Sequence, residues 1–350
     1  MKRRSPKYVG RYYKLKIAVD VMGGDNAPRE LVRGAVAAAS EYGVDIVMIG
    51  NKDEIEKIAR EDSLDISSVE IVHTEVKIEM DDDAVSVVRS KKDSSMSRGL
   101  YMLRDGECDA LVSAGNSGAL HAGSSLIVRK IKGVHRAGIA TVLPLKKPIL
   151  LMDSGANIDI VPEDLVQWGT MGAIYMNNIY GIESPSVGLV NNGVEETKGT
   201  ATEREAYKLF KDADINFAGN IEAREIPNAP CDVIVTDGFT GNVILKLIEG
   251  MGSFIFSELK TMFLSGIASK VAAVLMKKHL RGLKHKFDAS EHGGAPFLGV
   301  AKPVIKAHGS SDAKAIKNAV RQAIEYSKTG IIQKIADSIA LNNEKTEKAE

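Results

Sequence analysis

Short apolar runs alternate along the chain with longer stretches in which apolar residues recur every three or four positions. The runs at residues 17–21, 45–49, 69–72, 110–112, 138–143, 148–152, 186–190 and 215–219 read as strands. The helical period predicts helices at 55–60, 85–103, 162–180, 203–212 and 313–326. Two more follow Pro28 and Gly241. Pro28 suits a first helical position, Asp25 or Asn26 is a candidate cap there, and Ser310, Ser311 or Asp312 caps the helix at 313. Strand–helix alternation of this kind implies a parallel sheet with right-handed crossovers. Residues 297–305 add a turn-and-strand unit.

The pattern changes at residues 254–287. Phe254, Ile255, Leu259, Met262 and Phe263 recur at helical spacing, as do Ile267, Val271, Val274, Leu275 and Leu280, with Gly266 and Gly282 as punctuation. Between residues 251 and 290 there are seven Lys/Arg against two acids. An amphipathic helical hairpin with a basic face fits a membrane interface, a partner subunit or an acidic carrier protein. Phe263, Lys277, Lys278, Arg281 and Lys284 are its candidate contacts.

Composition narrows the field. A chain of 350 residues with 44% hydrophobic residues can bury a large core. Zero formal net charge argues against general nucleic-acid binding. Residues 1–16 carry seven Lys/Arg and no acid, without the apolar centre of a signal peptide. They read as a solvated basic extension or an electrostatic foot for acidic lipid or an acidic partner. Residues 17–338 read as one α/β catalytic domain with a helical insertion at about 250–290, and 339–350 as a polar tail whose last ten residues fray. No run is long enough to span a membrane. The two cysteines, Cys108 and Cys231, form neither a disulfide pattern nor a metal pattern. The adjacent carboxylates Asp81–Asp83 read as a solvated helix start, and no metal is expected.

The candidate chemistry lies in the loops after strands. Residues 108–118, CDALVSAGNSG, pass from an apolar strand through small residues into a helix. Residues 231–241, CDVIVTDGFTG, repeat the device, with Ser117 and Thr240 at matching places. Small residues let backbone approach a ligand, and free N–H groups at a helix start favour an anion. The echo is either a generic turn used twice or a pair of loops facing one anionic substrate. Similar loops occur around Asp25, Asp153 and Ser310, and Lys198 and His308 join the inventory. Strand ends in a parallel sheet gather at one edge, where ligands bind. Walker, dinucleotide, nucleophile-elbow and zinc-protease motifs are absent. The residues alone reach an anion-binding α/β enzyme.

Eight segments together resemble the phosphate acyltransferase family of bacterial phospholipid synthesis. They are IAVDVMGGDNAP at 17–28, GNSGA at 115–119, MDSGAN at 152–157, NNGVEETKG at 191–199, FAGNIE at 217–222, VTDGFTGN at 235–242, GGAPFLGV at 293–300 and AHGSSDAKA at 307–315. The resemblance implies a three-layer, mostly parallel α/β fold of the isocitrate/isopropylmalate-dehydrogenase type, a homodimer, and a cytoplasmic enzyme held peripherally at the membrane. It implies transfer of a fatty acyl group from acyl carrier protein to inorganic phosphate, without a cofactor. The product would feed a glycerol-phosphate acyltransferase. Lys198 and His308 are the catalytic candidates. Asn116, Ser117, Gly118, Asn157, Asp237, Thr240, Asn242 and Ser310 are candidates for holding phosphate or donor, and Asp20, Gly24, Asp25 and Asp153 for shaping the loops. The basic extension lies outside the family core, and His292 stands where Tyr is expected. An oxidoreductase of the related fold and a non-enzymatic membrane-associated scaffold are the alternatives.

Overall fold

The computed structural model describes residues 14–286 and 293–347. The strands are β1 (Lys16–Asp20), β2 (Asp45–Gly50), β3 (Glu70–His73), β4 (Ala110–Ser113), β5 (Gly138–Ile139), β6 (Thr141–Pro144), β7 (Pro148–Met152), β8 (Ser186–Asn191), β9 (Asn216–Glu222), β10 (Val233–Val235), β11 (Ala295–Leu298) and β12 (Val304–Lys306). The helices are α1 (Arg29–Tyr42), α2 (Lys52–Glu61), α3 (Ser95–Asp105), α4 (Ser117–Gly123), α5 (Pro162–Tyr180), α6 (Ala201–Asp212), α7 (Gly238–Leu264), α8 (Ile267–Lys286), α9 (Ala313–Lys328) and α10 (Ile331–Glu347).

The strands form two sheets, ordered β3-β2-β1-β4-β12-β11-β5 and β6-β7-β10-β8-β9. Pairing is parallel from β3 to β12 and from β7 to β9. Only β11, β5 and β6 pair antiparallel. Alternate residues on a strand enter different cores. Ile17 and Val19 of β1 belong to one cluster and Ala18 to a second. In β7, Leu150 and Met152 join that first cluster while Ile149 and Leu151 join a third. The first cluster is therefore shared by both sheets, and each sheet has a second covered face. Trp168, Met171 and Tyr175 of α5 lie in the shared core, which accounts for that helix's unusual composition.

The structure corrects several sequence expectations. Residues 85–103 are not one helix. A 3₁₀ turn (Ala84–Val88) precedes α3, because Ser94 accepts from Ser97 N at 3.2 Å and starts a new helix. Residues 138–143 do not serve one strand. The chain passes from β5 in one sheet to β6 in the other across Ala140. Pro28 occupies the position before α1 with no side-chain cap. Asn26 instead donates to the carbonyls of Ser310 and Ser311, at 3.0 and 3.3 Å. Gly266 separates α7 from α8, but Gly282 lies within α8. The hairpin has no separate start near residue 250, since α7 is one 27-residue helix. Of the tail at 341–350, residues 341–347 continue α10, and 348–350 lie outside the described residues.

Glycines set how closely the second sheet's loops approach. A Cβ on Gly241 would lie 1.9 Å from the Asp153 carbonyl oxygen, and that contact is backbone. Gly241→Ala is expected to cost about 1–3 kcal/mol or more of stability through overpacking. Urea unfolding of the parent and the variant measures it, and an unchanged midpoint would contradict the packing described.

Candidate active site

Three loops meet at the C-terminal ends of β1, β4 and β12. A Cβ on Gly23 would lie 2.7 Å from Gly115 Cα, so these loops touch backbone to backbone. Gly24, at φ +110°, lies against the Gly309 carbonyl and Ala114. Asp25 N donates to Gly309 O at 2.8 Å.

A buried polar knot lies beneath them. Asp20 is 1% exposed and accepts from Ser113 Oγ at 2.7 Å and Met22 N at 3.1 Å. Burial raises its carboxyl above the ordinary range, opposed by hydrogen bonds from Ser95 and Ser113. Lys306, the last residue of β12, is 9% exposed. Its Nζ donates to Ala114 O at 3.2 Å and to Ala307 O. Burial lowers the Lys306 ammonium from 10.5 to about 8, opposed by the Asp20 and Asp25 carboxylates and reinforced by Lys246.

The second sheet repeats the arrangement. Asp153, directly after β7, is fully buried. It accepts from Ile139 N, Gly155 N, Ala156 N, Asn157 N and Asn157 Nδ2, at 2.7–3.2 Å. Burial still raises its carboxyl, and the Asn157 and backbone donors oppose this. Gly238 N donates to Asn157 O at 2.7 Å, which docks the start of α7 on this loop.

Hydrogen bonds among the described residues also join the halves at this edge. Asn157 Nδ2 donates to Ala137 O at 2.8 Å, and His121 Nε2 of α4 meets the same carbonyl at 3.0 Å. Burial keeps His121 below its ordinary pKa, so a neutral ring donating through Nε2 fits. In α7, Lys246 Nζ lies 3.0 Å from His308 Nε2 and pairs with Glu249 at 2.8 Å. Ser310 N donates to His308 Nδ1 at 3.2 Å. A neutral imidazole has one acceptor nitrogen, so Ser310 and Lys246 compete for it. Partial burial, then the Lys246 charge, holds His308 below 6.5. An open cavity of about 280 Å³ is bordered by His308, Ser310, Ser311, Asp312, Glu249 and Gly293.

The candidate residues separate into groups. Asn116 is committed to structure, capping α4 through Ala119 N at 3.0 Å and tying its loop to residues 79–82 by donating to the Glu79, Met80 and Asp82 carbonyls. Asp237 caps α7 by accepting from Thr240 N at 2.9 Å. Asp312 caps α9 through Ala315 N at 2.8 Å. Ser117 and Gly118 open α4, while Asn242 and Ser310 are exposed. Lys198 is exposed, and its recorded bonds, to Glu195 and Asn191, stay within its own loop. Asp82 and Asp83 are used locally, on Lys91 and Val85 N.

The sequence echo holds at one end only. Asp109 accepts from Lys16 N at 2.8 Å and Asp232 from Ser186 N at 2.8 Å, each tying the start of a neighbouring strand. The helices then start out of register, because Asn116 caps one and Asp237 the other. Ser117 and Thr240 therefore occupy different positions in their first turns. Both cysteines are free and buried, and burial pushes their thiols up to about 12. Phe263 is half-buried, Lys277 and Lys278 are exposed, and the side chains of Arg281 and Lys284 lie outside the described residues, as does His292.

Sequence reasoning missed Lys246 and Lys306. The available signal for Lys306 is a lysine directly after the apolar pair Val304–Ile305 and before a small-residue loop. Its folded-state pKa is depressed, so the unfolded chain binds more protons between about 8 and 10.5. Stability linked to Lys306 is then present above that window and lost as pH falls through about 8. Relative to Lys306→Met, the parent's urea midpoint is expected to rise as pH increases from 8 towards 10. A constant difference between the two proteins would contradict a lowered pKa at Lys306.

Residues 15–334 match the family described as fatty acid synthesis protein. A phosphate acyltransferase of Alkaliphilus oremlandii is 47% identical over 327 residues, covering 93% of this chain and 98% of the relative. One of Clostridioides difficile is 46% identical over 338 residues, covering 96% and 99%. Among solved structures, a phosphotransacetylase from Streptococcus pyogenes gives a TM-score of 0.57 at 17% identity, covering 93% of this chain and 94% of that one. A 4-hydroxythreonine-4-phosphate dehydrogenase from Klebsiella pneumoniae gives 0.54 at 11% identity, covering 90% and 100%. These two likenesses establish the α/β fold, and the close relatives establish more: the chain belongs to the phosphate acyltransferase family.

Proposed function

We propose that this enzyme transfers a fatty acyl group from the thioester of acyl carrier protein to inorganic phosphate, giving acyl phosphate and free carrier thiol. The observation that carries this reading is the meeting of Lys246 of α7, a helix that starts on the second sheet's Asn157 loop, with His308 of the first sheet, beside an open cavity bordered by His308, Ser310, Ser311 and Glu249. Such a junction can hold a small dianion beside a thioester carbonyl, and positioning of that kind supplies much of the rate.

In the transfer, an ionised oxygen of HPO₄²⁻ attacks the thioester carbonyl. A tetrahedral oxyanion forms, and the carbon–sulfur bond then breaks. The proton carried by phosphate ends on the carrier thiol, so the reaction balances without an outside acid. His308 is held below 6.5 and is a poor store of a proton at neutral pH. Its role in this reading is to orient Lys246 and Ser310. Lys198, exposed in the loop after β8, closes on the phosphate or oxyanion when donor is bound. Losing one such donor typically costs about 10²–10³ in rate.

The hairpin supports peripheral membrane contact through its tip. Met262, Leu264 and Ile267 are 53%, 56% and 85% exposed there. Among the described residues α7 is the helix long and apolar enough to cross a membrane by length and composition. Its first turn is nevertheless built into the sheet edge by Gly238 and Gly241. A second copy of the chain, as in a homodimer, is the other occupant considered for the hairpin. Its exposed Lys277 and Lys278 also suit an acidic carrier.

Incubating the protein with acyl carrier thioester and labelled phosphate tests the activity. Lys198→Ala is expected to lower acyl-phosphate formation at least about 10²-fold with an unchanged melt. Near-normal turnover would remove Lys198 from the site. In flotation with anionic liposomes, Ile267→Glu is expected to stay in the dense fraction while the parent floats. Equal flotation would exclude the tip as the contact.

A further inference from the structure

The first sheet's loops meet over one buried cation. The backbone ladder between β4 and β12 ends where Ala307 N donates to Ser113 O at 2.9 Å. One step beyond, the Lys306 side chain takes over: its Nζ donates to Ala114 O at 3.2 Å and to Ala307 O. A peptide group is planar, so each carbonyl turned to Nζ fixes the N–H of the next residue in the opposite direction. For Ala114 that N–H belongs to Gly115, and Ser113 Oγ accepts it at 3.1 Å. For Ala307 it belongs to His308, which meets Lys246 and borders the cavity. The loop after β1 rests on the same pair of loops. A Cβ on Gly24 would lie 2.9 Å from the Gly309 carbonyl oxygen and 3.4 Å from that of Ala114.

Stability does not account for this lysine. Its bonds go to carbonyls and not to a carboxylate. Burial, the largest influence on it, disfavours the charged form; Asp20 and Asp25 favour that form, and Lys246 disfavours it. A buried cation held in this way adds little to stability over a well-packed apolar side chain. Proteins break packing rules of this kind chiefly at functional sites. Its place in the fold gives the function. Lys306 ties the loop that leads into α4 to the loop that carries His308 and Ser310, beside the cavity where the acyl-transfer reading puts phosphate.

We propose that Lys306 is a positioning residue for acyl transfer: its ammonium group sets the spacing of the loops after β4 and β12, and with it the placing of His308 and Ser310 against bound phosphate. The proposal rests on the acyl-transfer reading above. Lys306 touches neither substrate and acts through the backbone that it holds. A misplacement of about 1 Å arising away from the reacting atoms can cost about 10² in rate.

The test replaces Lys306 by Met, which keeps an unbranched side chain and removes the donors. Lys306→Met is expected to lower kcat/KM for phosphate about 10²-fold. The loss should fall on kcat and on KM for phosphate, while KM for acyl carrier thioester changes less than about twofold. Lys306→Gln, polar but too short to span both carbonyls, carries the same comparison if Lys306→Met does not melt cooperatively. Titration calorimetry with inorganic phosphate and no donor reads the same loops without turnover, and the variants should bind at least about tenfold more weakly. Near-normal kcat/KM in a variant that melts cooperatively would overturn the proposal. So would a loss spread over both KM values, the mark of a purely structural role. If the parent binds phosphate but makes no acyl phosphate, the acyl-transfer reading fails, and the calorimetry alone decides whether Lys306 holds the phosphate loops. If the parent binds no phosphate, the role of Lys306 falls with the site.

Discussion

Two carboxylates removed from water hold the functional edge together. Asp20 closes β1 in one sheet, and Asp153 follows β7 in the other. A buried carboxylate without donors is costly enough to reject its conformation. Asp153 meets this by drawing N–H groups of residues 139 and 155–157 onto its two oxygens. Asp20 does so with Ser113 and Met22, and the Lys306 charge lies nearby. Several donors from one loop converging on one group leave that loop a single shape. The tight glycine contacts follow: once the Asp153 loop is fixed, α7 can dock only if residue 241 has no side chain.

The same helix then links the rigid edge to chemistry and to an apolar surface. Its first turn belongs to the second sheet's loops, and its third turn reaches the first sheet's loop at His308. Its outer face carries exposed apolar residues to the hairpin tip. One rigid element thus sets the distance between a cation, an imidazole and an apolar row. A loop carrying the same residues would have to order them on every binding event, at a cost of about 1–2 kcal/mol of backbone entropy per residue fixed.

What the sequence made legible was governed by what is local. Strand runs, caps and small-residue loops are encoded within a few residues, and the strand 148–152 and the helix 162–180 appear in the structure at those bounds. Relations that depend on topology were hidden. A lysine after Val304 and Ile305 reads as a strand end in water, yet β12 lies between β4 and β11, where the residue is 9% exposed and its Nζ turns to the Ala114 and Ala307 carbonyls. Residues 138–143 look like one strand because the step between sheets takes a single residue, Ala140. The echo of 108–118 in 231–241 was visible, but capping decides where each helix begins, and Asn116 and Asp237 stand at different places in the repeat. Lys246 had no local mark at all, being one lysine on a long helix. Only the packing of α7 gives it a partner.

The balance of the reaction explains why such a site can lack a strong acid. Attack by HPO₄²⁻ on a thioester supplies its own proton for the departing thiolate, and thiolate leaves readily. The protein's task is then to gather negative charge and hold it in line with the carbonyl. Cations on separate elements serve that task better than a charged imidazole. Lys246 sits on a helix and Lys198 in a loop after a strand, so in the proposed transfer one would be fixed while the other closes. A charged His308 would lose hydration and be repelled by Lys246, and burial first, then that repulsion, lowers its pKa. Neutral, the ring can accept from Lys246 and hold that charge beside the cavity that His308, Ser310 and Glu249 border.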